Sequence, residues 1–105
     1  MAIKIFWTDF AKKELRKIFR YYREKTSLQI AQNLVEGIVL KTNSLEFQSK
    51  IGQKEELLHD QKQEFRYLVF KSYKIIYWFN KEKKRIEIVD VFDVRQYPEK
   101  ITRSK

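Results

Sequence analysis

The sequence predicts an α+β domain with the element order β-α-α-β-β-β, in which an N-terminal strand and a helical hairpin pack on a mostly antiparallel sheet. Residues 9–45 carry apolar side chains at helical spacings of three and four, whereas residues 65–92 carry short runs of aromatic and β-branched residues. Apolar residues make up 43% of the 105 residues, which suits one hydrophobic core but not two. We therefore expect residues 1–105 to form a single domain.

A short strand and two helices are predicted in the first half of the chain. Residues 3–7, IKIFW, form the strand, and Thr8 follows as a helix N-cap. The first helix runs to about Lys25, and Ser27 caps a second helix, so that the two form an αα-hairpin. Gly37 lies inside the second helix at a cost of roughly 1 kcal/mol relative to Ala, and we expect it to allow close packing. The apolar faces of the helices comprise Ala11, Leu15, Ile18, Phe19 and Tyr22, and Ala31, Leu34, Val35, Ile38 and Leu45.

Three strands are predicted in the last third of the chain. Residues 65–70 and 73–79 pair as a hairpin across Lys71 and Ser72, although this dipeptide lacks the Asn-Gly or Asp-Gly signature of tight hairpin turns. The sequence NKEKK supplies the next turn. Residues 86–92 then form the last strand, and their apolar side chains on both faces favour a central position in the sheet.

The formal net charge of +9 is concentrated in the first and last thirds of the chain. Residues 1–25 hold eight Lys and Arg against three Asp and Glu, residues 26–61 hold three against five, and residues 62–105 hold twelve against six. This distribution favours an anionic partner, either nucleic acid or an acidic protein, over a membrane surface. The alternative is a basic surface that only keeps the protein soluble.

Several classes of function have no support in the sequence. The chain has no cysteine, which excludes disulfides and cysteine-based metal sites and fits a reducing cytoplasm. His59 alone cannot build a histidine zinc site, and there is no Gly-rich phosphate loop or HExxH motif, so we expect no metal and no cofactor. No stretch approaches the roughly 20 apolar residues of a transmembrane helix. We therefore expect a cytoplasmic protein without membrane contact.

The candidate site residues are cations of the predicted sheet, Arg66, Lys74 and Arg95. Adjacent antiparallel strands lie about 4.8 Å apart, so cations from two or three strands can converge on one phosphate and stabilise a charged transition state. Lys71, in the hairpin turn, is a further candidate contact to nucleic acid or another target. A solvated sheet face without a ligand is the alternative. Four aromatic residues can stack on bases, although most are expected in the core instead: Tyr67, Tyr73, Tyr77 and Trp78.

Five segments of the chain carry a family resemblance by their order and spacing. They read FWTDFAKKEL, YYREKTSLQIAQNL, IGQKEELL, FRYLVFKSYKIIYWF and IEIVDVFDVRQYPEKI. Together they resemble the RelE/ParE superfamily of bacterial type II toxin-antitoxin toxins over nearly the whole chain. The resemblance implies a growth-inhibiting toxin that acts either on the ribosome with its mRNA or on DNA gyrase. RelE-like members cleave mRNA in the ribosomal A site, whereas ParE-like members block gyrase and are not nucleases.

The resemblance also implies roles for individual residues. In the RelE-like pattern an arginine opens the segment Arg-Leu-Val-Tyr, where this chain has Lys74, which keeps the charge but lacks the bidentate fork of arginine. Arg95 matches a C-terminal basic position, Tyr97 matches a C-terminal tyrosine, and Glu55 or Glu56 matches a glutamate base. The nuclease set is therefore partial, and the long helical hairpin is more ParE-like.

A cognate antitoxin is the protein partner that the resemblance implies. The first helix offers it a row of cations, Lys12, Arg16 and Arg20. Residues 54–58 offer a possible short edge strand for strand addition, with Lys54 and Leu57 as contacts. A non-toxic nucleic-acid-binding module with the same fold is the alternative function.

Overall fold

The structure is a computed structural model that describes residues 3–48, 53–54 and 64–95. The predicted order of helices and strands is confirmed, with one further two-residue strand before the hairpin. The elements are β1 (Lys4–Trp7), α1 (Asp9–Lys25), α2 (Leu28–Asn43), β2 (Gln53–Lys54), β3 (Arg66–Phe70), β4 (Tyr73–Asn80) and β5 (Arg85–Asp93), with a 3₁₀ turn at Ser44–Glu46.

Both helices begin where the sequence predicts. Thr8 Oγ1 accepts a hydrogen bond from the backbone nitrogen of Ala11 at 3.2 Å, and Ser27 Oγ accepts one from that of Ile30 at 3.1 Å. Each hydroxyl thereby satisfies an amide that the first helical turn leaves without an intrahelical partner. Thr8 Oγ1 also donates to the carbonyl oxygen of Ile88 at 3.0 Å, which fixes the start of α1 to the sheet.

The sheet has the strand order β1-β5-β4-β3-β2. β1 runs parallel to β5, and the other neighbouring pairs are antiparallel, so the sheet is mostly antiparallel as predicted. The interior position predicted for the last strand is confirmed, since β5 lies between β1 and β4. β2 is an edge strand among the described residues. Of residues 54–58, for which the sequence predicts a possible edge strand, Lys54 lies in β2, and residues 55–58 lie outside the described part.

A β-bulge in β5 sets which side chains point to the helices. Ile76 pairs with Asp90 and Tyr77 pairs with Ile88, so Val89 is an extra residue on β5. The bulge interrupts the alternation of side chains and re-aims those that follow. As a result Val91 belongs to the core under the helices, as Ile88 does, although the two are three residues apart.

The hydrophobic core lies between the helical hairpin and one face of the sheet. Leu45 is buried there as expected, but it lies in the 3₁₀ turn that follows α2. Of the four aromatic residues considered for base stacking, Tyr73 and Tyr77 are buried in this core, whereas Tyr67 and Trp78 are half-buried, so two of the four rather than most are core residues. Among the described residues no helix is long and apolar enough to span a bilayer. The buried residues of the core are Ala11, Leu34, Ile38, Leu45, Leu68, Tyr73, Ile75, Tyr77, Ile86, Ile88 and Val91.

Candidate functional site

Arg66 and Lys74 lie on opposite faces of the sheet. In the register of β3 and β4, Arg66 pairs with Tyr77, whereas Lys74 pairs with Val69. Directly paired residues point to the same face, and side chains alternate along each strand. Arg66 therefore points to the side of the core residue Tyr77, and Lys74 points away from the helices. The expectation that these two cations converge on one phosphate is thus not met.

Each of the three predicted sheet cations contacts another side chain. Arg66 Nη2 lies 2.7 Å from Glu64 Oε2, and Lys74 Nζ lies 4.1 Å from the centroid of the Tyr67 ring. Arg95 Nε donates to both carboxylate oxygens of Asp93, at 2.9 and 3.0 Å. These contacts position the three cations. The two carboxylates also offset part of the positive charge of Arg66 and Arg95 that would attract a phosphate.

Lys71 and Arg95 lie at the same end of the sheet. The backbone nitrogen of Val94 donates to the carbonyl oxygen of Ser72 at 2.8 Å, which ties the β3–β4 turn to the residues that follow β5. Lys71 has φ 55°, in the left-handed region that residues other than glycine rarely adopt. Lys71 is exposed in this turn, at the same end of the sheet as Arg95.

A pocket of 470 Å³ opens at this end of the sheet, between α1 and the end of β5. Its position follows from the apolar stripe of α1, which packs on β5, and from the β5 bulge, after which Asp93 pairs with Tyr73 on the helical side. The lining combines three phenols with two pairs of opposite charges. The lining residues are Glu14, Lys17, Ile18, Tyr21, Tyr22, Tyr73, Val91, Phe92, Asp93 and Arg95.

Tyr73 contacts another phenol of the pocket, that of Tyr22. Its hydroxyl oxygen lies 3.5 Å from that of Tyr22, at the outer limit of a hydrogen bond. Burial raises the pKa of Tyr73 well above its ordinary range, and the contact with Tyr22 raises it further. Tyr73 therefore stays a neutral hydroxyl at physiological pH and does not act as a phenolate base.

In the two ion pairs of the pocket the carboxylates are less exposed than the cations. Glu14 and Asp93 have side chains that are 10% and 15% exposed, whereas Lys17 and Arg95 are 62% and 71% exposed. The hydrogen bonds from Arg95 hold the pKa of Asp93 below its ordinary value. Because neither Asp93 nor Tyr73 titrates near neutral pH, these two groups suit binding rather than proton transfer.

Most of the pocket was not predicted from the sequence. Glu14 was the residue that could have indicated it, because Glu14 lies on the apolar stripe of α1, three residues after Ala11 and four before Ile18. A carboxylate at such a position is either paired or functional, and here it forms an ion pair with Lys17 at 3.1 Å. The position of Asp93 depends on the bulge, which no sequence pattern indicated.

The remaining predicted site residues are only partly described. Lys12, Arg16 and Arg20 are exposed along α1, at the spacing of four that places them in one row. Lys54 lies in β2. Glu55, Glu56, Leu57 and Tyr97 lie outside the described residues, so their roles stay predictions.

Comparison with known proteins identifies a family. A family model described as "ParE toxin of type II toxin-antitoxin system, parDE" matches residues 5–98. A solved structure described as "Chromosomal ParDE TA system from P. aeruginosa" superposes with a TM-score of 0.72 at 18% identity, covering 88% of this chain and 96% of that chain. At this identity the likeness shows the fold, and it confirms the predicted RelE/ParE-like architecture. No curated protein matches the chain.

Proposed function

Because this chain belongs to the ParE toxin family of type II toxin-antitoxin systems, we propose that it is a toxin that inhibits DNA gyrase and is neutralised by a cognate antitoxin. Residues 1–105 act as one toxin domain in the cytoplasm, without a cofactor. The ribosome-dependent endoribonuclease of the RelE-like members is the competing activity.

The pocket between α1 and the end of β5 is the observation that carries this proposal. Tyrosine and arginine are the residues that most often dominate binding energy at protein interfaces, and this pocket presents Tyr21, Tyr22 and Arg95 together. Tyr21 is a large apolar residue on the exposed surface, and so is Val94, which precedes Arg95 in the chain. Such a surface suits docking onto a protein target, with Lys71 as a further contact at the same end of the sheet.

The separation of the predicted cations also supports a protein target over mRNA cleavage. Cleaving a phosphodiester requires a general base and cations gathered around one phosphate. Here Arg66 and Lys74 lie on opposite faces of the sheet. Arg66 and Arg95 are separated along the strands. β3 begins at Arg66, whereas Arg95 lies at the end of the sheet that contains the turn after Phe70, and the four residues from Arg66 to Phe70 span about 14 Å at 3.4 Å per residue.

The antitoxin binds a different surface in this proposal. The exposed row Lys12, Arg16 and Arg20 on α1 offers positive charge to an acidic partner. β2 is an edge strand among the described residues, so its outer edge can pair with an added strand beside Lys54.

A paired assay separates the two toxin activities. We expect the purified chain to inhibit ATP-dependent supercoiling by gyrase while mRNA in a reconstituted translation reaction stays intact. Addition of the antitoxin restores supercoiling. Cuts in mRNA at A-site codons with normal supercoiling would contradict the proposal, as would unimpaired growth of cells that express the chain without its antitoxin.

A further inference from the structure

Both non-glycine residues with positive φ in the described part of the chain are lysines at hairpin tips. Lys71 has φ 55° and Lys84 has φ 52°. The left-handed conformation costs an L-residue roughly 1–2 kcal/mol, and glycine or asparagine usually occupies such turn positions. Strain that persists at an exposed position points to a use for the side chain. Lys71 belongs to the end of the sheet proposed above to face the protein target, whereas Lys84 lies at the opposite end.

Lys84 is part of a cluster of five cations at that opposite end. Residues 81–84 form the turn between β4 and β5, and all four are exposed. Lys4 and Arg85 pair directly in the parallel ladder of β1 and β5, which brings the start of β1 to the same place. Residues 81–87 contain two carboxylates, Glu82 and Glu87, so positive charge is in excess. The cluster, called the basic end below, consists of Lys4, Lys81, Lys83, Lys84 and Arg85.

Hydrogen bonds hold the base of the turn in one conformation. Asn80 Oδ1 accepts from the backbone nitrogen of Lys83 at 3.1 Å, and Asn80 Nδ2 donates to Glu87 Oε2 at 3.1 Å. Arg85 Nε donates to the same oxygen at 2.9 Å, and its guanidinium carbon lies 3.8 Å from the centroid of the Phe6 ring. The turn therefore displays its lysines from a fixed base, which lowers the entropy lost on binding.

We propose that the basic end binds the phosphate backbone of duplex DNA. Lysines that neutralise phosphates release condensed counterions, which is the main source of affinity without sequence preference. Residues 81–84 contain no aromatic side chain to stack on unpaired bases, and this favours a duplex over a single strand. This contact needs no gyrase, so it can fail while the proposed function holds.

The first test uses the strain at Lys84. Asparagine tolerates the left-handed region, so we expect Lys84→Asn to melt at the same temperature as the wild type or higher. The same substitution removes one cation, and we expect it to weaken binding of the full chain to a fluorescent 20-base-pair duplex about two- to fivefold. A substitution that preserves or raises stability while weakening binding separates a DNA contact from a structural role.

The second test measures the salt dependence of duplex binding. The slope of log K against log salt is negative, and each lost phosphate contact makes it less steep by about 0.9, so Lys81→Gln, Lys83→Gln and Lys84→Asn together make it less steep by roughly 3. Lys41→Gln is the control, since Lys41 is exposed on α2 in the least basic third of the chain, and we expect its slope to equal that of the wild type. No binding by the wild type, or an unchanged slope in the triple variant, would overturn the proposal. Equal affinity for single-stranded DNA, or binding only to an acidic peptide, would overturn the assignment to duplex DNA.

Discussion

The ring of Phe70 in β3 lies directly over Gly37 in α2. A Cβ atom on residue 37 would stand 2.3 Å from Phe70 Cζ, 2.8 Å from Cε2 and 3.0 Å from Cε1. Three ring atoms are thus closer than a carbon contact allows, so the whole ring would have to move. The close packing expected at Gly37 is confirmed, and the contact ties the second helix to the outer part of the sheet.

Gly37→Ala is therefore expected to destabilise the protein. The substitution gains roughly 1 kcal/mol of helix propensity, but displacement of the Phe70 ring costs about 1–3 kcal/mol, so we expect a net loss. Urea unfolding measures the change in the free energy of unfolding. In the double variant with Phe70→Leu the loss from Gly37→Ala should shrink, because the smaller side chain leaves room for the methyl group. A Gly37→Ala protein more stable than the wild type would contradict this packing.

The two helix caps provide a matched comparison. Thr8→Ala and Ser27→Ala each remove a hydroxyl that accepts from a first-turn amide, which costs about 1 kcal/mol. Thr8 also donates to the Ile88 carbonyl, so Thr8→Ala should destabilise the protein more than Ser27→Ala, by about a further 1 kcal/mol. Chemical denaturation of both variants checks the order. Equal losses would mean that the bond to β5 contributes nothing.

The raised pKa of Tyr73 predicts how the stability of the protein changes at alkaline pH. Its pKa is raised in the folded protein, mainly by burial, while the unfolded chain ionises this residue at about pH 10. Above pH 10 the unfolded state therefore loses a proton that the folded state keeps, and stability falls as pH rises. We expect Tyr73→Phe to show a shallower decline of unfolding free energy between pH 9.5 and 11 than the wild type. Tyr21→Phe, at an exposed tyrosine, is the control, and an identical decline in both variants would contradict the prediction.

The lowered pKa of Asp93 predicts how the stability of the protein changes at acid pH. Its pKa is lowered in the folded protein by hydrogen bonds from Arg95, so the unfolded state takes up the proton first as pH falls. The stabilisation that the ionised Asp93 carboxylate gives the folded protein is present above about pH 4 and is lost below it. In Asp93→Asn the unfolding free energy should therefore fall less steeply with decreasing pH than in the wild type. Glu24→Gln, on the exposed surface of α1, should not have this effect. Parallel acid titrations of unfolding free energy at constant ionic strength check this.

Local sequence signals predicted most of the fold. Thr8 and Ser27 were identifiable because a hydroxyl residue stood directly before each apolar helical stripe. The interior position of β5 followed from its apolar residues on both faces. Those same apolar faces hid the bulge at Val89, because a strand that is apolar throughout shows no break in its alternation.

The candidate site was harder to predict, since it depends on relations between distant elements. The two-residue turn at Lys71 and Ser72 fixes the register that puts Arg66 and Lys74 on opposite faces, so this arrangement could be predicted from the sequence. The pocket could not be predicted from the sequence, because it needs the packing of α1 on β5 and the position of Asp93 after the bulge. The positive φ at Lys84 was equally hidden, since lysine is not the residue that such a turn favours.

Under the proposed function, the pocket end of the sheet binds gyrase. The most direct measurement is a supercoiling titration that compares the wild type with Arg95→Ala and with the control Lys41→Ala on α2. Arg95 is an exposed cation of the pocket, and truncation of an interface hot-spot residue costs about 2 kcal/mol or more. We expect half-inhibition by Arg95→Ala to need at least roughly thirtyfold more protein than the wild type needs, with Lys41→Ala unchanged. Equal inhibition by Arg95→Ala, or no inhibition by the wild type, would contradict the account.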